Sequence, residues 1–574
     1  MKRNALRITA ITGLMLLAEN AWPVGGDALP SSTLPEQVGG SLTKQSTPQQ
    51  QQVLPPILST PEKTASPLGP QANQIKFQLN GIILEGNTVY TTKQLQPLYQ
   101  NKLHTTISVA QLLDIVQSIT NYYRNNGYII TRAILPPQHV KNGVVRIQII
   151  EGFIDKVDVS GNPHGAKCIV QAYGNQIKKS PPLQISRMEK YLILANEIPA
   201  TSVKAVLSPS KATPGAADIT LVTDNKPISG YASYDDYGTR YIGPQQMTGN
   251  IAFNSMAASG DSTQLTFTKT PKGGELTYYD LNYSLPVEDN GVHWTFGDTR
   301  TQTHPLFVLQ PSQIDGLTSN YYTMGYFPVI RTRTESLTLR TGFNYLDSYV
   351  TTFSEKLYTD HLRSLDFGGT YNFSDRFYGA NLISPDLRQG LPLFGATHQD
   401  NPETAQTSHP GGRGNYTKIT LQLSRLQIIK GPFSLYGLFS GQWAFNPLLA
   451  SEQFAFGGPQ LGRGYDVAEI IGDRGAAGSL ELRYDWDVEK FQMQMMQFYV
   501  FYDAGEVWNI QFVAGTPQKV SGTSTGIGTR FFFNKYVSGN VMWTQTLTKQ
   551  VAAEELIGEG RRPRMFFSLV ASWS

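Results

Sequence analysis

An all-β barrel of about sixteen antiparallel strands, preceded by two small α+β units, is the architecture this 574-residue sequence predicts. Three observations predict it. Charged residues make up 16% of the chain, below the ~25% of ordinary soluble domains, while aromatic residues reach 11%. Beyond the N-terminal segment, no stretch approaches the ~18 uninterrupted apolar residues of a membrane-spanning helix, which excludes a helical membrane protein. From Pro227 onward, helical periodicity gives way to alternation of apolar and polar residues. The mild mean hydropathy of −0.26 is what two alternating faces average to.

The same composition closes off several functions. A net charge of +3 is close to zero for this length and leaves no nucleic-acid footprint. Cys168 is the single cysteine, so neither a disulfide framework nor a cysteine zinc site can form. None of the eight His stands at metal-ligand spacing, and HExxH, GxSxG and P-loop motifs are absent. No enzymatic activity, cofactor or metal is expected.

Residues 1–21 read as a secretory signal peptide. Lys2, Arg3 and Arg7 form a basic start, and Ile8–Ala18 a short apolar run, with cleavage after Ala21 or Ala28. Export places the chain in a bacterial envelope. Residues 22–74 are rich in Pro, Gln, Ser and Thr, which predicts an extended linker or, failing that, a plug segment without clear amphipathic spacing.

The first α+β unit spans 75–152. Phe77, Leu79 and Ile83 alternate through a strand that turns at Gly86-Asn87, and Thr91 or Thr92 caps a short helix to Tyr99. Ser108 starts a second helix with Leu112, Val116 and Ile119 at helical spacing, stopped at Asn125-Asn126-Gly127. Strands over Tyr128–Leu135 and Val144–Glu151 complete a β-α-α-β-β order. The second unit, 153–226, repeats that order, with a strand ending at Gly161-Asn162, helices over Cys168–Lys178 and Ser186–Ala195, and strands over Val203–Ser208 and Asp218–Thr223.

Residues 227–574 form the barrel. Leu337, Leu339, Phe343 and Tyr345 share one face against Thr338, Arg340, Gly342 and Asn344. Ile419, Leu421 and Leu423 oppose Thr420, Gln422 and Ser424, and Met565, Phe567, Leu569, Ala571 and Trp573 line one side of the last strand. Polar faces rich in Thr, Gln, Asn and Gly suit a wet lumen and apolar faces suit lipid, so a transmembrane barrel is predicted; about 350 residues accommodate about sixteen strands. Ser574 follows the aromatic residue on which such barrels commonly end.

Two groups of motifs carry a family resemblance. Gly127-Tyr128, Pro136-Pro137-Gln138, Asn142-Gly143 and Glu151-Gly152 resemble the polypeptide-transport-associated (POTRA) domain of two-partner secretion transporters, the haemolysin-activator family. The resemblance implies two periplasmic POTRA domains that meet an unfolded client, with these positions marking the client-binding region. FGGPQLGRGYD, Phe456–Asp466, is similar to the sixth extracellular loop of the wider Omp85 superfamily, and FYDAG, Phe501–Gly505, to its aromatic-x-Asp-x-Gly strand motif. By that resemblance Arg463, Gly464 and Tyr465 form a loop tip that folds back into the barrel, where Arg463 pairs with Asp503 and Gly505 belongs to the receiving strand. Gly462 stands where the superfamily more usually has Val. The physics agrees, since an Arg inside a barrel needs a carboxylate and its planar fork binds one bidentately.

The function so implied is ATP-independent passage of a β-rich haemolysin- or adhesin-type exoprotein, recognised by its N-terminal secretion domain, to the cell surface. The expected partners are that exoprotein, outer-membrane lipid and the barrel assembly machinery, with the chain itself a monomer. A barrel assembly factor of the same superfamily and a diffusion porin with a periplasmic extension are the alternatives.

Overall fold

The computed structural model describes residues 29–45, 72–397, 406–488, 493–511 and 518–573. The signal-peptide reading, its cleavage site, most of the 22–74 linker and Ser574 lie outside the described residues.

Both α+β units share one topology. In the first, Gly81–Glu85 runs parallel to Val144–Ile150, which pairs antiparallel with Arg132–Ile134 on its other side. In the second, Ile154–Asn162 runs parallel to Ala217–Asn225, with Thr201–Pro209 antiparallel on the far side. The two Gly-Asn turns are structurally equivalent. Gly86 and Gly161 both have φ of +84°, and a Cβ on either would lie 2.3 or 2.5 Å from a carbonyl oxygen of the neighbouring strand, Ile149 or Thr223. Glycine is required at both for the same reason, which gives the internal repeat a physical basis.

The helix Val109–Asn125 begins at Ser108, whose side chain accepts from the Gln111 backbone in a capping box, and Gly127 follows its end with φ of +92°. Leu112, Ile115, Val116, Ile119 and Tyr123 bury its inner face against Val145, Ile147 and Ile149. The N-terminal stretch differs from the single strand expected. It breaks at Asn80 into Lys76–Leu79 and Gly81–Glu85, because the first half pairs with Thr105–Ser108 and the second with Val144–Ile150. The helix expected up to Tyr99 covers only Thr92–Leu95 before 3-10 turns that begin at Gln96-Pro97. The strand expected over Tyr128–Leu135 shrinks to Arg132–Ile134.

The barrel closes with sixteen antiparallel strands, from Ile228–Asp235 to Arg564–Trp573, and those two strands pair with each other. Alternation places residues as the sequence implied: Leu265, Phe267, Leu339, Ile419, Met565 and Leu569 are exposed on the outer face. The second α+β unit sits at one end of the barrel. Glu197 pairs with Arg331 at 2.9 Å, Glu189 with Arg333 at 3.3 Å, and the Gln176 amide donates to Asp289 at 2.5 Å. The turns at 287–292 and 332–334 therefore mark the periplasmic side.

One segment follows the plug alternative and not the linker reading. Pro35–Gln45, within the expected linker, is an α-helix lodged in the lumen, with Leu34, Glu36, Val38 and Leu42 buried. Pro35 opens it and Glu36 occupies its first turn, both favourable at a helix start. Gly39 lies close enough to the barrel wall that a Cβ would fall 2.1 Å from Thr301 Oγ1. The helix is stabilised by this enclosure rather than by a strong amphipathic pattern of its own, which is why composition alone reads it as linker.

Candidate functional site

The loop between the strands Phe433–Ala444 and Arg474–Asp487 carries the site. A short hairpin, Phe454–Phe456 paired with Ile470–Gly472, stiffens it, and the tip 461–466 folds into the lumen. Gly462 has φ of +77°, so a Val there would be strained; glycine at this position is a requirement of the turn in this chain.

Arg463 is 5% exposed and Asp503 is fully buried. The guanidinium grips the carboxylate bidentately, Nε donating to Oδ2 at 3.0 Å and Nη2 to Oδ1 at 2.8 Å, and the Arg463 backbone N–H adds a third bond at 2.9 Å. Nη1 donates to Glu481 at 2.6 Å and Nη2 to the Ser479 hydroxyl at 2.7 Å. The guanidinium carbon lies 3.5 Å over the Phe501 ring. Burial works against the charge of Arg463, but Asp503 and Glu481 outweigh it and raise its pKa.

The neighbours of Arg463 fix the approach. Gly464 donates its backbone N–H to Ser524 at 3.3 Å, and a Cβ on it would sit 2.8 Å from the Ser524 Cβ. Tyr465 is buried, its hydroxyl donating to the Thr523 carbonyl at 3.0 Å. Gly505 leaves room for Phe456, whose ring would otherwise lie 2.3 Å from a Cβ. All five residues singled out in the loop and strand motifs thus meet in one cluster.

Glu481, Ser479 and Phe456 were not singled out from sequence. Glu481 serves three cations, pairing with Arg463, Arg483 and Arg530. The available signal was Glu481 and Arg483 two residues apart on a strand face that also carries Ser479. A second anchor holds the base of the loop. Glu452 is buried between Lys418 at 2.7 Å and Arg388 at 3.1 Å. Desolvation opposes its charge, yet the two cations win and hold its pKa down to about 2.

The lumenal helix joins this cluster. Ser31 donates to the Ala468 carbonyl at 2.5 Å, and Gln37 donates to the Ala450 carbonyl. Ser348 and Tyr358 each donate to Glu36 at 2.9 Å. Burial raises the Glu36 pKa above that of an ordinary carboxyl, its hydrogen bonds offsetting only part of that cost.

The POTRA-type motif residues are placed within the first unit's own framework. Glu151 accepts from the backbone of Thr88 at 2.8 Å and Val89 at 2.9 Å and from the Tyr123 hydroxyl at 2.8 Å. Gln138 bridges both backbone groups of Arg146. A Cβ on Gly143 would lie 2.3 Å from the Gln78 carbonyl, and one on Gly152 2.8 Å from Ile130. Tyr128 packs against the core, and Pro136-Pro137 follow the short strand Arg132–Ile134. These residues shape the unit.

Residues 215–529 match the family model described as haemolysin secretion/activation protein ShlB/FhaC/HecB, and residues 77–152 match the POTRA domain, ShlB-type. The chain is 24% identical over 441 residues to the heme/hemopexin transporter protein HuxB of Haemophilus influenzae (strain 86-028NP), covering 75% of this chain and 76% of that protein. It is 22% identical over 463 residues to the outer membrane transporter CdiB of Dickeya dadantii (strain 3937), covering 79% and 80%. Its fold matches the solved structure of CdiB from Escherichia coli with a TM-score of 0.72 at 18% identity, covering 95% of this chain and 99% of that one.

Proposed function

From the premise that the chain belongs to the haemolysin secretion/activation (ShlB/FhaC/HecB) family of two-partner secretion transporters in the outer membrane, we propose that its periplasmic units capture an unfolded, β-rich exoprotein through its N-terminal secretion domain and that the barrel passes it outward without ATP. Capture uses free sheet edges. Gly81–Glu85 and Thr201–Pro209 are edge strands, with Ile83 and Val206 49% and 52% exposed. An extended peptide can join such an edge through backbone hydrogen bonds that are indifferent to sequence. Outward bias comes from folding of the client outside the cell. The chain works as a monomer, has no enzymatic activity, and is inserted by the barrel assembly machinery.

The observation that carries this reading is the content of the lumen. A separate helix and a loop tip held by one Arg occupy it, and both are joined to the wall by contacts that can be exchanged. A diffusion porin has no use for such a filling. The test is deletion of the gene followed by comparison of culture and surface proteins. Loss of one large secreted protein is expected; an unchanged set would end the proposal.

A further inference from the structure

We infer that the exported polypeptide travels along one wall of the lumen, the hydroxyl- and tyrosine-lined face of the barrel strands between Ile228 and Arg331. This rests on the transport reading above and adds where in the barrel the client binds. The lumen is two-sided. Five Lys and Arg occur between 228 and 331. Arg240 and Lys272 lie in extracellular loops, Lys269 and Arg300 share the lipid-facing sides of their strands with Phe267 and Phe296, and Arg331 is held by Glu197 at the periplasmic end. The lumenal side of these strands therefore carries no cation above that end, and its acids are Asp280 and, at the far end of the first strand, Asp235. Its side chains form a continuous row from strand to strand, Tyr231, Asn250, Thr266, Asp280, Thr299 and Asn320, each the register partner of the next. Asn250 donates to Thr266 at 2.9 Å, and the row's one acid, Asp280, accepts from Asn282 at 3.1 Å.

The opposite wall is ionic. Arg340 pairs with Asp386, Arg388 with Asp366 and Glu452, Lys418 with Glu452, and Arg530 with Glu481. A client charge drawn into such a pair would leave a buried charge without its partner, so it would be held or excluded. Passage needs contacts favourable enough to form and weak enough to break. Hydroxyl and amide groups, which donate and accept in turn to an extended backbone, meet that requirement. A polypeptide is already seated there: one side of the helix Pro35–Gln45 lies on this wall, Thr43 bonding Tyr278 at 2.9 Å and Val38 and Leu42 packing in the same cluster as Leu276 and Tyr278, while Glu36 at its start reaches across to Ser348 and Tyr358. Its departure uncovers this cation-free track and the hydroxyls of Ser348 and Tyr358, not the ion pairs.

The test uses the full-length chain in proteoliposomes, with a photoreactive residue at Asn250 or Thr299 on the cation-free wall, or at Thr370 or Gln422 on the ionic one. Heat-dependent gel mobility checks that each variant is folded. The probe is a synthetic unfolded peptide rich in Ser, Thr, Asn and Gly and free of charged residues. About fivefold more adduct at the first two positions is expected, the preference that one net hydrogen bond provides. Equal yields, or more at Thr370 and Gln422, would overturn the track while leaving transport intact. Absence of adduct at all four positions would remove the transport reading itself.

Discussion

Arg463 makes five hydrogen bonds to three side chains, so its loss leaves two buried carboxylates, Asp503 and Glu481, without a shared counter-charge. Arg463→Ala is therefore expected to weaken anchoring of the loop by ~3–5 kcal/mol. Secretion of the exoprotein should fall sharply while the amount of heat-modifiable, folded barrel in the outer membrane stays near wild type. Arg463→Lys should rescue little, because an ammonium on a flexible stem cannot span Asp503, Glu481 and Ser479 together. Normal secretion by the alanine variant would sink the role assigned to the loop. In the first periplasmic unit, Glu151→Gln removes the carboxylate that ties Thr88 and Val89 to Tyr123, and should cost that unit ~1–3 kcal/mol, read as faster proteolysis of the full-length protein within residues 77–152. The Arg463–Asp503 pair was legible because two short motifs, each ambiguous alone, together resemble the superfamily's loop and strand, and their charges are complementary. Glu481 was not, because nothing local distinguishes an acid that serves three cations from any lumenal acid.

The lumenal helix is held by groups whose charge depends on pH. Burial raises the pKa of Glu36, and its described side-chain partners, Ser348 and Tyr358, bring no positive charge. Once the helix leaves the lumen, Glu36 regains an ordinary carboxyl pKa, so docking is fully favoured below that value and weakens as pH rises through the raised one. Open-channel events in planar bilayers should thus become more frequent toward alkaline pH, and Glu36→Gln should abolish that dependence. Gly39→Val places carbon against Thr301 and should raise conductance at all pH values; unchanged conductance would show that the helix does not depend on this close approach. The base of the loop behaves oppositely. Glu452 is held to about 2 by Arg388 and Lys418, so its contribution is present at neutral pH and is lost only as pH falls from the ordinary carboxyl range toward that value. At this scale the sequence was readable wherever an element forms its own pattern, as in Val109–Asn125 with its cap and stop. It left two readings open where enclosure does the stabilising, as in Pro35–Gln45, although Pro35 and Glu36 do mark a helix start.

The barrel is closed by one seam and meets its second periplasmic unit through polar contacts and through Ile169 and Leu194, which lie against Gly260 and Gly291. The seam pairs Ala232 with Ala571, and cysteines at both positions should form a disulfide across it. If the client passes through the lumen, the locked barrel should secrete as well as its reduced form; an assembly factor that opened its wall would be inactivated. What the amino-acid sequence determined on its own was the order of the two repeated units and the barrel, because strand alternation, helix caps and the Gly-Asn turns are local facts, even where distant pairing splits a strand, as at Asn80. The Arg463–Asp503 pair was implied by the resemblance of its two motifs to the superfamily's, and their complementary charge agrees with it. Only the tertiary structure decided what fills the barrel. Whether a Pro- and Gln-rich stretch is linker or plug, which acid completes the Arg463 cluster, and that one lumen wall lacks cations while the other is laced with ion pairs all depend on residues far apart in the chain facing one another. Those relations arise when sixteen strands close and a wet interior acquires two sides.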